Sequence, residues 1–290
     1  MTTRRSFLAA STAAAAGAFI SKGASAADVA TTQLPAKWDA ETAVLVAGSG
    51  IAGMSAAISA LDKGAKVLVM EKGKNYGGCA IINGGIIALG GGTRTQKEHG
   101  VEDSPEKLYK KLTNPAHHEY RKNTPELVKK YSEWCPGTQV WLEEHGVKFL
   151  PTFTRPGKYD SQHHESYHHI WWKDSGEGGR KPQPTGGFMT GRGIMMPYYE
   201  YFTGKGGQIF LEHKVVDVYV NDQGAVVGAK VQKPDGSIMN VKANKGVVLA
   251  GGSWKANPEL RRLTDPRFTE NMISTGYPFV AQDGSAILAG

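Results

Sequence analysis

Cysteine is scarce in this chain of 290 residues: only Cys79 and Cys135 occur. No Cys-x-x-Cys-His motif is present, which excludes covalently attached c-type haem on this chain. Two thiols cannot ligate a four-cysteine iron–sulfur cluster. They allow one disulfide at most, which sequence does not establish. Basic runs interleaved with aromatics are also missing, and the formal charge is a mild +7. Nothing here argues for a nucleic-acid partner. Acidic residues are absent from the first 26 positions, which carry Arg4, Arg5 and Lys22; setting aside those three cations takes +7 to +4. No apolar run is long enough to span a bilayer comfortably, so no integral membrane segment is expected after signal removal.

The acid-free N-terminus reads as an export signal. Thr3-Arg4-Arg5-Ser6-Phe7-Leu8 places twin arginines before the Ala-rich stretch Phe7 to Ile20, and Ala24-Ser25-Ala26 fits a small-residue cleavage site. Residues 1–26 are therefore expected to be a twin-arginine signal and 27–41 a linker. The destination is the periplasm or beyond. That route exports folded proteins, which suits a protein that loads a cofactor first.

Glycine, by contrast, is abundant at 37 residues. The stretch VLVAGSGIAGMSAAISALDKGAKVLVMEKG, residues 44–73, concentrates the informative ones. Ala43–Ala47 is a continuous apolar run, as expected for a buried parallel strand. Ile51, Met54, Ile58 and Leu61 recur on one face of a helix closed by Gly64. Val67–Met70 is a second buried strand. Gly48, Gly50 and Gly53 thus sit between strand and helix, where a G-x-G-x-x-G fingerprint belongs. Gly48 permits the tight turn, Gly50 lets backbone approach a pyrophosphate, and Gly53 allows close helix–strand packing. The helix N-terminus offers unpaired N–H groups and partial positive charge to the phosphates. Glu71 ends the second strand, where a carboxylate accepts from adenosine ribose hydroxyls and disfavours a 2′-phosphate.

The segment after Glu71 separates a flavin dinucleotide from a nicotinamide one. Gly77-Gly78 and Gly84-Gly85 follow almost at once. A second bare loop there can run beneath a ribityl chain and an isoalloxazine ring. A nicotinamide enzyme would continue into alternating strands and helices. The apolar residues Ile81, Ile82, Ile86, Ile87 and Leu89 argue against a solvated linker.

Farther along, Ser104-Pro105-Glu106 marks a helix start. Pro125–Trp134 and Thr138–His145 are expected as two helices, and residues 151–187 as a long irregular region. Helix returns at Ile194–Phe202. Strands are expected at Ile209–Leu211, Val215–Val220, Val226–Gln232, Ile238–Lys242 and Gly246–Ala250, with turn chemistry at 221–224 and 234–236.

GSGIAG with MEKG, the loop GGCAIINGG, the segment PTGGFMTGRG and KGVVLAGGSWKANPEL together resemble the fumarate reductase and succinate dehydrogenase flavoprotein superfamily. That superfamily includes soluble fumarate and urocanate reductases and 3-ketosteroid dehydrogenases. The resemblance runs from about Thr42 to the C-terminus. It implies an α/β fold: a Rossmann-like FAD-binding domain, glutathione-reductase-like, with an added antiparallel β meander, over residues 42–290. It also implies FAD held by Gly48, Ser49, Gly50, Ile51, Ala52, Gly53, Glu71, Lys72, Gly77, Gly78, Cys79, Ala80, Gly84 and Gly85, with Ala250, Gly251 and Gly252 at a strand end. An adenine contact near Val215 and a flavin phosphate or ribityl contact at Asp283 are implied as well. Gly85 is the residue placed nearest substrate.

The departures are specific. Cys79 stands where many members have Asn, Ser or Thr, and Gly251 where a Thr is usual. No His lies between Glu71 and His99, so the FAD is expected to be non-covalent. The chain is expected to be an N-terminal fragment, stopping where a capping domain with the acid–base residues would begin; no catalytic residue is assigned in this piece.

The cluster His163-His164-Glu165-Ser166-Tyr167-His168-His169 reads as a polar loop, with no second cluster to support a metal. Trp171-Trp172 and Tyr198-Tyr199 read as core or interface, with a substrate cleft as the alternative. Arg192 reads as a surface or capping residue, with a phosphate or substrate carboxylate as the alternative. Three functions follow: an exported FAD oxidoreductase acting on CH–CH or C=C bonds of a carboxylate or enone small molecule; a non-catalytic flavin-binding or electron-transfer subunit; and an NAD-binding dehydrogenase. The compartment suits a quinone or a cytochrome as electron partner.

Overall fold

The computed structural model describes residues 32–114, 124–154, 166–170, 191–264, 267 and 282–290. The signal stretch, Trp171-Trp172 and His163–Glu165 lie outside them.

In chain order the elements are β1 (Ala40–Ala47), α1 (Ile51–Asp62), β2 (Val67–Met70), α2 (Gly78–Ile81), β3 (Ile86–Leu89), α3 (Arg94–Glu98), α4 (Pro105–Leu112), α5 (Pro125–Glu144), β4 (Phe149–Thr154) and β5 (Ser166–Ile170). Then follow α6 (Arg192–Gly204), β6 (Gln208–Phe210), β7 (Lys214–Val220), β8 (Val226–Gln232), β9 (Ile238–Leu249), α7 (Pro258–Thr264) and α8 (Ser285–Ala289).

Six strands form one sheet in the order β6-β2-β1-β9-β8-β7. β6, β2, β1 and β9 run parallel, whereas β9, β8 and β7 are antiparallel. This is the Rossmann-like half with an added meander. β1 lies in the middle, so its side chains are covered on both faces. Val46 packs with Met54, Ile58, Val69, Tyr198 and Phe202 on one side. Leu45 packs with Leu68, Val215, Val231, Val241 and Ala289 on the other. Both β1 residues are 0% exposed, which is why the strand reads as continuous apolar sequence rather than as alternation. The meander turns are made locally: Asn221 Oδ1 accepts from Gln223 N–H and Ala225 N–H, and Asp235 Oδ1 accepts from Ser237 N–H.

α1 buries Gly53, Met54, Ala57 and Ile58 and ends where Gly64 takes φ +76°. Its C-terminal end is pinned to α5 and α6. Asp62 accepts from Tyr201 Oη at 2.7 Å and lies 2.9 Å from His145 Nε2. A smaller antiparallel sheet, β3-β5-β4, stands apart from the large one.

Four expectations need correction. The two helices expected at 125–134 and 138–145 are a single helix, α5, with Pro136 inside it. A proline there removes one backbone bond, but Val128, Ser132, Cys135, Gln139 and Leu142 form one buried stripe across it. Gly91 makes room for the irregularity: a Cβ there would sit 3.2 Å from Ser132 O and 3.3 Å from the Pro136 ring. Second, the segments 238–242 and 246–250 join as one strand, β9, with a register shift opposite Thr42 and Val44. Third, β1 starts at Ala40, inside the expected linker, because Ala40–Thr42 pair with Val241–Ala243. Fourth, β4 ends and β5 lies inside the stretch expected to be irregular. Their sequences show no period-two signal; pairing of β5 with distant β3 makes them strands.

Candidate functional site

The chain from β1 turns sharply at Gly48, whose φ is +105°. A Cβ on Gly48 would lie 2.5 Å from Ala250 O. The turn is therefore pressed against the end of β9, where Ala250 N–H donates to Ala47 O. Gly53, one turn into α1, has even less room: its Cβ would sit 1.9 Å from Gly48 O. Gly50 differs from both. A Cβ there meets nothing within 4 Å. It is the N-cap of α1, with no side-chain cap and no acid in the first turn. Ile51 and Ala52 beside it are exposed. The helix thus presents uncapped N–H groups to an open space edged by bare backbone, the arrangement that receives a pyrophosphate.

Glu71 closes the other side of the turn. It is 9% exposed. Its Oε2 accepts from Ser49 N–H at 2.9 Å and Ser49 Oγ–H at 2.6 Å, and its Oε1 accepts from Gly73 N–H at 2.7 Å. The second glycine loop docks on the same point. Gly77 N–H points at Ser49 O and Ser49 Oγ, each 3.2 Å away. A Cβ on Gly78 would be 3.4 Å from Gly50 Cα. The two loops therefore meet main chain to main chain.

Beyond Gly78, the short helix α2 carries Cys79 and Ala80. Cys79 Sγ accepts from Gln282 Nε2 at 2.5 Å. Ala80 O faces Gly191, whose Cβ would approach to 1.9 Å. Asn83 shapes the next turn: its Nδ2 donates to Ala80 O and its Oδ1 accepts from Gly85 N–H, with Gly85 at φ +66°. Gly84 is exposed and Gly85 buried.

The C-terminal segment lies over this region. Lys72 Nζ is 2.5 Å from Asp283 Oδ1 and Lys214 Nζ is 3.0 Å from Asp283 Oδ2. Burial pushes the Asp283 carboxyl up, but hydrogen bonds from Lys72, Ser285 N–H and Lys214 outweigh it and hold the group well below the usual carboxylate range. A depressed folded pKa gives stability that is full above the unfolded value near 4 and is lost as pH falls below it. The carboxylate is 35% exposed, so solvent screens it and its worth is about 1 kcal/mol or less. Asp283→Asn should lower the denaturant midpoint at neutral pH and reduce the acid sensitivity between about pH 4 and 2. Identical pH profiles for the two proteins would refute this role.

The structure thus brings together Gly48–Gly53, Glu71, Lys72, Gly77–Ala80, Ala250, Gly251 and Asp283. Gly251 has its own reason to be glycine: a Cβ there would lie 2.4 Å from Ala286 Cβ. Gly252 is exposed, with φ +78°. Val215 stands apart in one respect. Its side chain is buried in the sheet core, which leaves only its backbone for a ligand. Tyr198 is core, with burial pushing its phenol up to about 12, while Tyr199 stacks on Tyr76 at 4.2 Å. Arg192 opens α6. Among the described residues no group of three or more His, Cys, Asp or Glu could hold a metal ion. No described helix is long and apolar enough to cross a membrane.

Sequence reading missed four contributors: Lys214, Gln282, Asn83 and Glu212. Glu212 adopts φ +59°, and its N–H donates to Gly73 O beside Glu71. Asn83-Gly84 was open to reading as turn chemistry. The other three gave no local signal, since each acts across a long sequence separation.

A family model described as an FAD-binding domain matches residues 43–287. The chain belongs to this FAD-binding family. Its bare-backbone cradle fits that assignment. Gly50 and Gly78 leave main chain exposed to a dinucleotide, and the uncapped α1 N-terminus suits its phosphates. The acrylate reductase flavoprotein subunit of Shewanella woodyi is 29% identical over 277 residues, covering 93% of this chain and 50% of that protein. Among solved structures, the 3-ketosteroid-Δ4-(5α)-dehydrogenase of Rhodococcus jostii RHA1 is 29% identical. It has a TM-score of 0.74 and covers 88% of this chain and 54% of that one. The open conformation of a flavocytochrome c3 fumarate reductase is 27% identical. Its TM-score is 0.68, with coverage of 87% and 40%. The chain therefore spans about half or less of the length of these relatives.

Proposed function

We propose that this chain forms the FAD-holding part of an exported oxidoreductase that adds hydrogen to, or removes it from, a carbon–carbon bond beside a carboxylate or ketone. One observation carries the reading: two glycine loops meet without side chains at the uncapped end of α1, beside a buried carboxylate. That geometry fits an adenine dinucleotide, and proteins to which the chain is similar are named as acrylate reductase, fumarate reductase and ketosteroid dehydrogenase.

Each residue has a task in this reading. Gly50, Ile51 and Ala52 present N–H groups to the pyrophosphate. Glu71 keeps an acceptor for the ribose and its charge repels a 2′-phosphate. Lys72 and Asp283 hold the C-terminal segment across the site. Gly84 and Gly85 pass beneath the ring, and Gly85 borders the substrate. When bound, FAD supplies hydride exchange at its N5, while the protein orients ring and substrate. The cofactor is held non-covalently: Cys79 Sγ already accepts from Gln282, and the stretch 72–98 contains no His. Acid precipitation should release the flavin into the supernatant. The Tat-type leader at 1–26 directs the protein to the periplasm, where a quinone or cytochrome supplies or removes electrons.

The test is spectral. The whole protein to which this chain contributes its FAD-holding part, purified and reduced under nitrogen, should regain its oxidised flavin spectrum on adding an unsaturated acid such as fumarate, acrylate or urocanate. In the opposite direction, a 3-ketosteroid should bleach the oxidised form. A flavin that responds to no unsaturated acid and no ketosteroid would instead favour an electron-transfer subunit. A protein that takes up NAD and no flavin would overturn the proposal.

A further inference from the structure

Ser49 lies between Gly48 and Gly50 and is 0% exposed. Its hydroxyl makes two contacts of different kinds. It donates to Glu71 Oε2 at 2.6 Å and accepts from Gly77 N–H at 3.2 Å. The Glu71 carboxylate does not depend on that hydroxyl for its position. Two backbone groups already hold it, Ser49 N–H on Oε2 and Gly73 N–H on Oε1. Gly77 N–H also reaches Ser49 O at 3.2 Å, a backbone bond that does not need the hydroxyl; what the hydroxyl adds is a bridge from the carboxylate to this first residue of the second glycine loop. A hydrogen-bond chain of this kind, N–H to O–H to carboxylate, is polarised along its length and strengthened by burial. Gly77 itself has φ +99°, and Gly78 packs on Gly50 with no side chain between them. Ile81 and Ala80 pack on the core beyond it, but between Gly78 and Gly50 main chain meets main chain.

We propose that Ser49 is a positioning residue that fixes the second glycine loop, Gly77–Gly85, against the first. Its hydroxyl thereby sets the affinity for the flavin end of FAD and not for the adenosine end. The proposal rests on the FAD reading above, in which the second loop runs beneath the ribityl chain and ring. It predicts a split that a merely structural residue would not give. ADP uses the first loop and Glu71, both of which keep their backbone bonds when the hydroxyl is removed. FAD additionally needs the second loop in place.

The experiment is calorimetric titration of the full chain, stripped of flavin, with FAD and with ADP. Loss of one charge-assisted buried hydrogen bond corresponds to about tenfold or more in affinity. Ser49→Ala should therefore bind FAD about tenfold more weakly while its affinity for ADP stays within about twofold of the parent. Ser49→Thr, which keeps the hydroxyl, should recover FAD binding. Equal losses for both ligands, or no loss for FAD, would overturn the proposal and leave the dinucleotide site intact. A parent protein that binds neither ligand would overturn the FAD reading, and this proposal with it. Should Ser49→Ala not fold, Ser49→Cys, whose thiol is only a weak donor and acceptor, decides: FAD weakened alone supports the positioning role, and ADP weakened equally or FAD unweakened refutes it.

Discussion

Gly53→Ala is expected to give a protein that retains no flavin and unfolds at markedly lower denaturant. The added methyl would stand 1.9 Å from Gly48 O and 3.2 Å from the Val46 side chain. The first of these contacts is with backbone, so no rotamer change relieves it. Gly48 has little room to retreat, because even a Cβ placed on it would lie 2.5 Å from Ala250 O. The helix must lift from β1, and the buried contacts of Met54, Ala57 and Ile58 are strained with it. Overpacking of this severity costs about 3 kcal/mol or more. Visible absorbance per protein and a urea titration would measure both effects. A yellow Gly53→Ala protein of parental stability would show that the tight turn is not as described.

Gly50→Ala should separate folding from cofactor binding. Its φ is −70° and ψ −177°, which alanine adopts without strain, and nothing stands within 4 Å of the new Cβ. Replacing glycine at such a position stabilises by about 0.4–1 kcal/mol, through the lost freedom of the unfolded chain. The same methyl occupies the space where the pyrophosphate must approach the main chain. Flavin affinity should fall about 100-fold or more, equivalent to about 2.7 kcal/mol. The opposed signs are the point: a denaturant midpoint at or above the parent, with flavin lost. Unchanged flavin content would remove Gly50 from the site.

The β1–α1–β2 unit was legible in sequence because its signals are local. Strand, turn, helix and acid follow one another from Ala43 to Glu71, and each satisfies its own neighbours. The meander β7-β8-β9 was legible for the same reason, through Asn221 and Pro234-Asp235-Gly236. What escaped was non-local. Pro136 looked like a break because its effect on backbone bonding is local, whereas the stripe from Val128 to Leu142 that keeps α5 whole is defined by what packs on it. β5 carries Ser, Tyr and His in a strand, and its pairing with Ile86–Leu89 on one side and β4 on the other reveals it. In the site, glycines announced themselves by type, but Lys214 and Gln282 matter only because Asp283 and Cys79 are brought to them. The resemblance named Asp283 without its partners, and it named Val215 without saying that its side chain faces the core.

The placement of β1 has a consequence for how the protein is made. One of its neighbours, β2, is translated almost immediately, but the other, β9, is encoded roughly two hundred residues later. Until the ribosome has passed Ala250, the turn at Gly48 lacks the carbonyl it rests against, and Lys72 waits longer still for Asp283. Flavin capture therefore waits for β9 and the segment around Asp283 to be made. A nascent chain released early would display an unpaired apolar strand edge and would need a chaperone rather than a cofactor.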